Sequence, residues 1–215
     1  MTKVKICGIT NIEDALLSTK HGADAVGFNF YRKSPRYITP ENALRIIDQL
    51  SPEILKVGVF VNETLENIVD IATFCKLDAL QLHGEESPEF CAELKSVTNL
   101  EIIKVFRVSA QFNPQDVLKY HVDAILLDAY SPKEHGGTGE TFDWGIAKKV
   151  LEIFPKMYLA GGLSPDNIAA AISDVKPFAV DACSCLEIDK GKKDEIKLLD
   201  FLLTCARVNY PAIEL

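Results

Sequence analysis

Two residues that could act as a base and an acid stand at the ends of short apolar runs: Cys7 is the last residue of one run, and Asp128 directly follows another. A thiol close to cationic groups or helix N-termini has a lowered pKa and can supply thiolate near neutral pH. A carboxyl buried against apolar neighbours, here residues 124–127, has a raised pKa and can act as a general acid. This pair therefore indicates proton-transfer chemistry, provided that the fold brings the two side chains together.

Other polar residues and glycines also follow apolar runs. They are Asn29, Asn62, Gln81, His83, Arg107, Gly161, Gly162, Asp181 and Ser184. Each of them could simply form a turn, and for Asn29 and Asn62 that interpretation has equal weight with a functional one. Lys5 lies two residues before Cys7, so both side chains project to the same face of a strand.

Eight short apolar runs rich in β-branched residues have the length of strands buried on both faces. They cover residues 4–7, 25–30, 55–61, 79–82, 102–106, 124–127, 157–159 and 178–180. Each run is followed by a stretch with helical spacing, at residues 11–19, 40–50, 64–74, 88–94, 114–119, 143–153, 165–172 and 192–208. Several of these stretches begin with a capping residue and a proline, as at Thr39-Pro40 and Ser87-Pro88, which is typical of a helix start.

A strand followed by a helix, eight times over, predicts a single-domain (β/α)₈ TIM barrel with parallel strands over residues 1–208, followed by a tail at 209–215. The rival interpretation is an open doubly wound sheet, which usually carries a Gly-x-Gly-x-x-Gly turn after its first strand. Residues 8–11 lack that turn. Because active sites of barrels lie at the carboxyl ends of the strands, the polar residues named above are expected at that one face.

The composition excludes several classes of function. With 31 acidic and 23 basic residues the net charge is −8, so we expect no broad nucleic-acid surface. There is no apolar run of about 18 residues for a membrane span, and the N-terminal residues lack the apolar core of a signal peptide. We therefore expect a cytoplasmic protein. Its six irregularly spaced cysteines are expected to be reduced.

Several motifs, in order and over almost the whole chain, resemble phosphoribosylanthranilate isomerase. They are Lys5-Ile6-Cys7-Gly8-Ile9-Thr10, Val26-Gly27-Phe28, Ser34-Pro35-Arg36, Gln81-Leu82-His83-Gly84, Leu127-Asp128, Gly136-Gly137-Thr138-Gly139 with Phe142-Asp143-Trp144, and Leu159-Ala160-Gly161-Gly162-Leu163. The resemblance implies an enzyme of tryptophan biosynthesis that performs an Amadori rearrangement on a small phosphorylated substrate. It implies no cofactor and no metal, and either a monomer or a homodimer.

The resemblance also implies roles for individual residues. Asp128 is the general acid and Cys7 the general base. Arg36 binds the anthranilate carboxylate through two parallel bonds. The remaining candidates bind substrate: Gln81 and His83 position it, Gly161 and Gly162 hold the phosphate, helped by the start of a helix near Ser164, and Asp181 and Ser184 are further substrate-binding residues. The glycine-rich residues 136–139 are expected to form a lid.

One position departs from the family pattern, because Cys185 stands where a glycine is usual. Its side chain is expected to crowd the phosphate or to force a changed backbone angle, and so to lower affinity. Since a barrel closes by pairing its eighth strand with its first, Cys183 or Cys185 is also expected close enough to Cys7 for a disulfide.

Two alternatives to the isomerase stay open at this point. One is another barrel enzyme that acts on a sugar phosphate, such as an epimerase or indole-glycerol-phosphate synthase. The other is a non-catalytic phosphate-binding barrel.

Overall fold

Eight parallel strands close into a barrel in a computed structural model of the chain, which describes residues 1–129 and 143–210. The strands are β1 Lys3–Ile6, β2 Ala25–Asn29, β3 Leu55–Phe60, β4 Ala79–Leu82, β5 Glu101–Val108, β6 Ala124–Ala129, β7 Met157–Leu159 and β8 Ala179–Ala182. Each strand pairs with its sequence neighbours, and β1 closes the ring against β8. The predicted (β/α)₈ fold is confirmed.

Seven helices connect the strands or come after the last of them in the described residues. They are α1 Ile12–Lys20, α2 Pro40–Ile47, α3 Leu65–Phe74, α4 Pro88–Val97, α5 Trp144–Ile153, α6 Ile168–Val175 and α7 Glu195–Asn209. The connection from β5 to β6 carries a 3₁₀ helix, Pro114–Lys119. The predicted caps act as expected, since the side chains of Thr39 and Ser87 accept bonds from the amides three residues on. None of the helices in residues 1–129 and 143–210 is long and apolar enough to cross a membrane.

The alternation of side chains along each strand separates two layers of the core. On β6, Ile125 and Leu127 pack in the larger cluster between the barrel and the helices, whereas Ala124 and Leu126 belong to a second cluster that fills the barrel. With a period of two, the next inward-facing residue is Asp128. The same count directs Lys5 on β1, Cys7 directly after it, Gln81 on β4 and Asp181 on β8 into the barrel.

The chain after β8 departs from the sequence prediction. The pattern predicts that residues 192–194 begin a helix, but Lys192–Lys193 form a short strand, β10, that pairs antiparallel with β9, Glu187–Asp189. The hairpin is held by remote contacts: the Lys193 amide donates to Asp14 Oδ2 at 2.8 Å, and the Lys193 ammonium donates to the Cys7 carbonyl at 2.7 Å. Local propensity for a helix gives way to these contacts.

Several other boundaries differ from the prediction by a few residues, among them the start of α6 and the end of α7. Helix α6 begins at Ile168 rather than at 165. Asn209, placed in the tail by sequence, is the last residue of α7, and its side-chain amide bonds both the N–H and the carbonyl of Thr2.

A buried ion pair outside the barrel ties the loop after β4 to β5. Lys104 Nζ lies 2.9 Å from Glu86 Oε2 and also donates to the carbonyls of Gly84 and Leu82, at 2.8 and 3.2 Å. Glu86 Oε1 accepts from the backbone N–H of Asn62 at 2.8 Å, so the same carboxylate also holds the loop after β3. The side chains of Lys104 and Glu86 are 3% and 2% exposed, so each charge depends on the other.

We predict that Glu86→Ala lowers the free energy of unfolding by about 3–5 kcal/mol, because it leaves the Lys104 ammonium buried without its counter-charge. The matched control is Glu85→Ala, which removes a surface pair with Arg107 whose glutamate side chain is 70% exposed, and which is expected to cost no more than about 1 kcal/mol. Urea unfolding measures both. Equal losses in the two variants would contradict the assignment.

Candidate active site

The predicted site residues meet in one cavity at the carboxyl ends of the strands, with a volume of about 550 Å³. All nine residues assigned a catalytic or binding role line it: Cys7, Arg36, Gln81, His83, Asp128, Gly161, Gly162, Asp181 and Ser184. Asn29 also lines it. Glycines 136–139, predicted to form a lid, lie outside the described residues. In residues 1–129 and 143–210 no three His, Cys, Asp or Glu side chains are grouped to hold a metal ion.

The Cys7 thiol sits beside a buried ammonium. Lys5 is fully buried, and its Nζ lies 2.8 Å from Asp181 Oδ1 on the adjoining strand. Gly27 on β2 makes room for this arrangement, because a Cβ built there would lie 2.8 Å from Cys7 Sγ and 3.1 Å from Lys5 Nζ. The Val26-Gly27-Phe28 motif therefore has a packing reason within this site.

The surroundings of Cys7 favour its ionised form. A hydrogen bond from the Cys183 thiol, together with the charges of Lys5 and Lys193, lowers the pKa of Cys7 well below the ordinary 9.0 even though burial opposes ionisation. The bond to Cys7, burial and the Cys7 charge raise the pKa of Cys183. Of the two thiols, Cys7 is therefore the one whose ionised form is favoured, because Lys5 and Lys193 both act on it.

The Lys5–Asp181 pair keeps a positive charge inside the barrel, below Cys7. Burial opposes the ammonium of Lys5, but the Asp181 carboxylate and the Cys7 sulfur raise its pKa. Burial raises the pKa of Asp181 to about 7, against the opposing effect of Lys5. Lys5 is therefore the group of the pair that stays charged across the neutral range.

Asp128 lies on β6, three strands around the barrel from β1, and next to His83. His83 Nε2 is 3.3 Å from Asp128 Oδ2, a close approach in which the atoms are not aligned as a hydrogen bond. Gln81 Nε2 lies 3.1 Å from His83 Nδ1, which fixes the ring orientation. The buried Gln81 Oε1 has no partner within the described residues, so it is a free acceptor at the edge of the cavity.

Arg36 is held by a carboxylate of the protein. Its Nε and Nη2 donate to the two oxygens of Glu187 at 2.8 Å each, a bidentate contact, and Lys193 Nζ lies 3.3 Å from the same Glu187. Although burial opposes the ionised form, the bonds from Arg36 and the charge of Lys193 lower the pKa of Glu187. A guanidinium has five N–H donors, so the Nη1–Nη2 edge remains for a second acceptor.

The glycine pair after β7 adopts left-handed backbone angles. Gly161 has φ +84°, and a Cβ there would lie 2.6 Å from the Ala129 backbone nitrogen. The close packing against β6 is therefore by itself enough to require glycine at position 161. The expected amides near Ser164 are partly engaged, because Asn167 Oδ1 accepts from the Ser164 N–H at 2.9 Å.

Cys185 lies in a 3₁₀ turn, Ser184–Leu186, and lines the cavity. It is not among the residues with positive φ, so its backbone adopts angles that any residue tolerates, and the expected change relative to a glycine stays a prediction. The crowding of a ligand by its side chain stays a prediction.

The sequence pattern does not reveal Lys193 as a site residue, because it assigns this residue to a helix. Lys193 is buried and its ammonium joins the ends of β1 and β8, donating to the carbonyls of Cys7 and Cys183 at 2.7 and 3.2 Å. The available signal is Asp189-Lys190-Gly191, a turn-forming stretch in which Gly191 has φ +83°. A hairpin at this stretch turns Lys193 back toward the barrel mouth.

We predict that alkylation of Cys7 by iodoacetamide has a pH midpoint well below 9.0, since thiolate is the reacting form. Cys75 and Cys91 serve as internal controls, because burial raises the pKa of each to about 11. Peptide mass spectrometry after timed alkylation across a pH series separates the sites. A Cys7 midpoint at or above that of the controls would contradict the geometry.

Comparison with known proteins places the whole barrel in one family. A family model described as N-(5'phosphoribosyl)anthranilate (PRA) isomerase matches residues 4–203. An N-(5'-phosphoribosyl)anthranilate isomerase of Pelobacter propionicus is 52% identical over 202 residues, 94% of either chain. The crystal structure of phosphoribosyl anthranilate isomerase from Thermotoga maritima superposes with a TM-score of 0.89 at 46% identity, covering 96% of this chain and 99% of that one.

A further related crystal structure holds a ligand. It is a phosphoribosyl anthranilate isomerase in complex with reduced 1-(o-carboxyphenylamino)-1-deoxyribulose 5-phosphate, with a TM-score of 0.86, 44% identity and coverage of 96% and 99% of the two chains. Together with the match along residues 4–203, these likenesses show that the chain belongs to the phosphoribosylanthranilate isomerase family.

Proposed function

We propose that this protein converts N-(5-phosphoribosyl)anthranilate into 1-(2-carboxyphenylamino)-1-deoxyribulose 5-phosphate in tryptophan biosynthesis, with Cys7 as general base and Asp128 as general acid. The observation that carries the proposal is that a thiol with a lowered pKa and a carboxyl line one cavity in a chain of this family. Membership of the family disfavours the other sugar-phosphate enzymes and the non-catalytic barrel.

The rearrangement needs one proton donated and one removed. Asp128 protonates the ring oxygen as the C1–O bond of the aminosugar breaks, and the nitrogen lone pair forms an iminium at C1. The iminium acidifies the proton on C2, which the Cys7 thiolate removes. The resulting enolamine then becomes the ketone by losing its hydroxyl proton and gaining one at C1, so atoms and charge balance.

The positions of the two groups suit these two atoms. Cys7 lies directly after β1 and Asp128 lies on β6, and three strand steps around the barrel separate them. The side chains therefore approach a bound molecule from different sides of the mouth. The thiolate is favoured before substrate binds, so the base needs no prior proton transfer.

Substrate binding divides between the two ends of the cavity. The free Nη1–Nη2 edge of Arg36 is suited to the anthranilate carboxylate, with Glu187 fixing its orientation. Gly161, Gly162 and Ser184 are assigned to the phosphate end. Asp181, whose second oxygen is not used by Lys5, is assigned to a sugar hydroxyl.

Gln81 and His83 complete the proposed contacts. The free Gln81 Oε1 accepts a bond from the ligand, and His83 supports Asp128. The cytoplasmic location and the monomeric or dimeric state stay predictions for this chain.

We expect the purified protein to consume phosphoribosylanthranilate fluorescence in the presence of reductant, and Cys7→Ser or Asp128→Asn to lower kcat by about 10²–10⁴-fold, as for loss of a general base or acid. Cys75→Ser, a buried thiol on the end of α3, and Asp174→Asn, in an exposed pair with Lys148, are matched controls expected to retain activity. A parent protein inert in reductant would overturn the proposed function. Full activity in either site variant would overturn that residue's role.

A separate substitution tests the phosphate end. We predict that Cys185→Gly lowers KM for phosphoribosylanthranilate severalfold with little change in kcat. The substitution removes a side chain from the cavity wall, and a glycine can adopt the backbone angles that Cys185 has now. Steady-state kinetics against the parent measure it. An unchanged or higher KM would show that the Cys185 side chain does not crowd the ligand.

A further inference from the structure

Barrel closure places a second thiol beside the proposed catalytic base. Strand β1 pairs with β8 so that Lys5 is level with Asp181 and Ile6 with Ala182. The ladder continues past both strands, since the Cys7 amide donates to the Ala182 carbonyl at 2.9 Å. The next step of this register sets Cys183 alongside Cys7.

The two sulfurs lie at the same part of the cavity wall. Cys7 and Cys183 both line the cavity, and each is the largest influence on the pKa of the other. Gly8 leaves the space that Cys183 occupies, because a Cβ on Gly8 would lie 2.8 Å from Cys183 Sγ. Cys185 also lines the cavity but lies two residues further along the turn.

Both backbones are held at this point by one buried ammonium. Lys193 Nζ donates to the Cys7 carbonyl at 2.7 Å and the Cys183 carbonyl at 3.2 Å, and it lies 3.8 Å from Cys183 Sγ. Neighbouring strands run about 4.8 Å apart, which falls within the Cα separation of about 4.4–6.8 Å that a disulfide requires. The β1–β8 register therefore gives this pair a spacing that is compatible with a disulfide.

We propose that Cys7 and Cys183 form a reversible disulfide when the protein meets a hydroperoxide, and that this modification switches catalysis off by consuming the base. The switching effect rests on the proposed function, whereas the bond itself does not. Of the two cysteines considered from sequence, the register selects Cys183.

The chemistry proceeds in two balanced steps. The Cys7 thiolate attacks one oxygen of the hydroperoxide, so that an S–O bond forms, the O–O bond breaks and hydroxide leaves, giving a sulfenic acid on Cys7. Cys183 then attacks Cys7 Sγ. The S–S bond forms, the S–O bond breaks, and water departs with the proton of the Cys183 thiol. The thiolate, the thiol and one hydrogen peroxide thus give one disulfide, one water and one hydroxide, and the hydroxide becomes a second water with the proton that Cys7 released on ionising. A thiol reductant returns the two electrons.

The electrostatics assign the order of these steps. Cys7 has the lowered pKa and is the thiolate that attacks first. Its neighbour Cys7 and burial raise the pKa of Cys183 against the opposing charges of Lys193 and Arg36, and the Cys183 thiol donates to Glu187 Oε1 at 3.8 Å. After Cys7 has been oxidised, the negative charge that raised the pKa of Cys183 is gone, and Cys183 becomes the attacking thiol.

The experiment treats the full-length, reduced protein with hydrogen peroxide and monitors intact mass, peptide linkage and isomerase activity together. We expect the loss of two hydrogens, a peptide pair joining Cys7 to Cys183, a fall in activity of roughly a hundredfold as for loss of a base, and recovery with dithiothreitol. Cys183→Ser should show no linkage and should accumulate oxidised Cys7 that dithiothreitol does not fully restore. Cys185→Ser is the matched control and should form the disulfide as the parent does.

Three results would overturn the proposal: no loss of two hydrogens, a linkage from Cys7 to Cys185, or activity unaffected in protein that carries the Cys7–Cys183 bond. The mass and linkage readouts need no substrate. If the unmodified protein shows no isomerase activity in reductant, the proposed function is contradicted. The disulfide proposal is then still tested by the peptide linkage between Cys7 and Cys183.

Discussion

The charge pair between Lys5 and Asp181 is the interaction on which the site depends. It joins the strands whose pairing closes the barrel, and it lies in the layer of side chains directly below Cys7. A buried ion pair is weak support for stability by itself, because the desolvation of two charges offsets much of their attraction. Its effect here is to keep Lys5 charged next to Cys7. Without Asp181, Lys5 could not remain charged inside the barrel, and the Cys7 thiol would lose a neighbouring cation.

A second set of charges holds the loop side of the cavity. Glu187 binds Arg36 and Lys193 together, and Lys193 reaches the carbonyls at the ends of β1 and β8. The β9–β10 hairpin, which supplies both Glu187 and Lys193, is thus a structural part of the site. This arrangement fixes the Arg36 guanidinium before a ligand arrives, which reduces the side-chain entropy lost on binding.

Most of the fold and much of the site can be predicted from sequence for a physical reason. Strands buried on both faces leave continuous apolar runs, and a period of two directs Cys7, Gln81, Asp128 and Asp181 inward. The features that escape prediction are set by contacts between remote residues. Lys193 has a helix-like neighbourhood in sequence, yet Asp14 and Cys7, more than 170 positions away, bind its amide and its ammonium. The start of α6 is misplaced for a local reason instead, because the side chain of Asn167 accepts from the Ser164 backbone N–H in a turn before the helix begins.

The use of a thiolate as base carries a chemical consequence for its neighbour. The same cations that hold Cys7 ionised make it reactive toward oxidants as well as toward a carbon acid. In a closed barrel the β1–β8 register places residue 183 next to residue 7. The side chain at position 183 therefore determines which reaction an oxidised Cys7 undergoes. A hydroxyl at position 183 could donate the same hydrogen bond, but could not form a bond to an oxidised sulfur. A thiol there does both, so in this chain one residue supports the ionised base and can also protect it from irreversible oxidation.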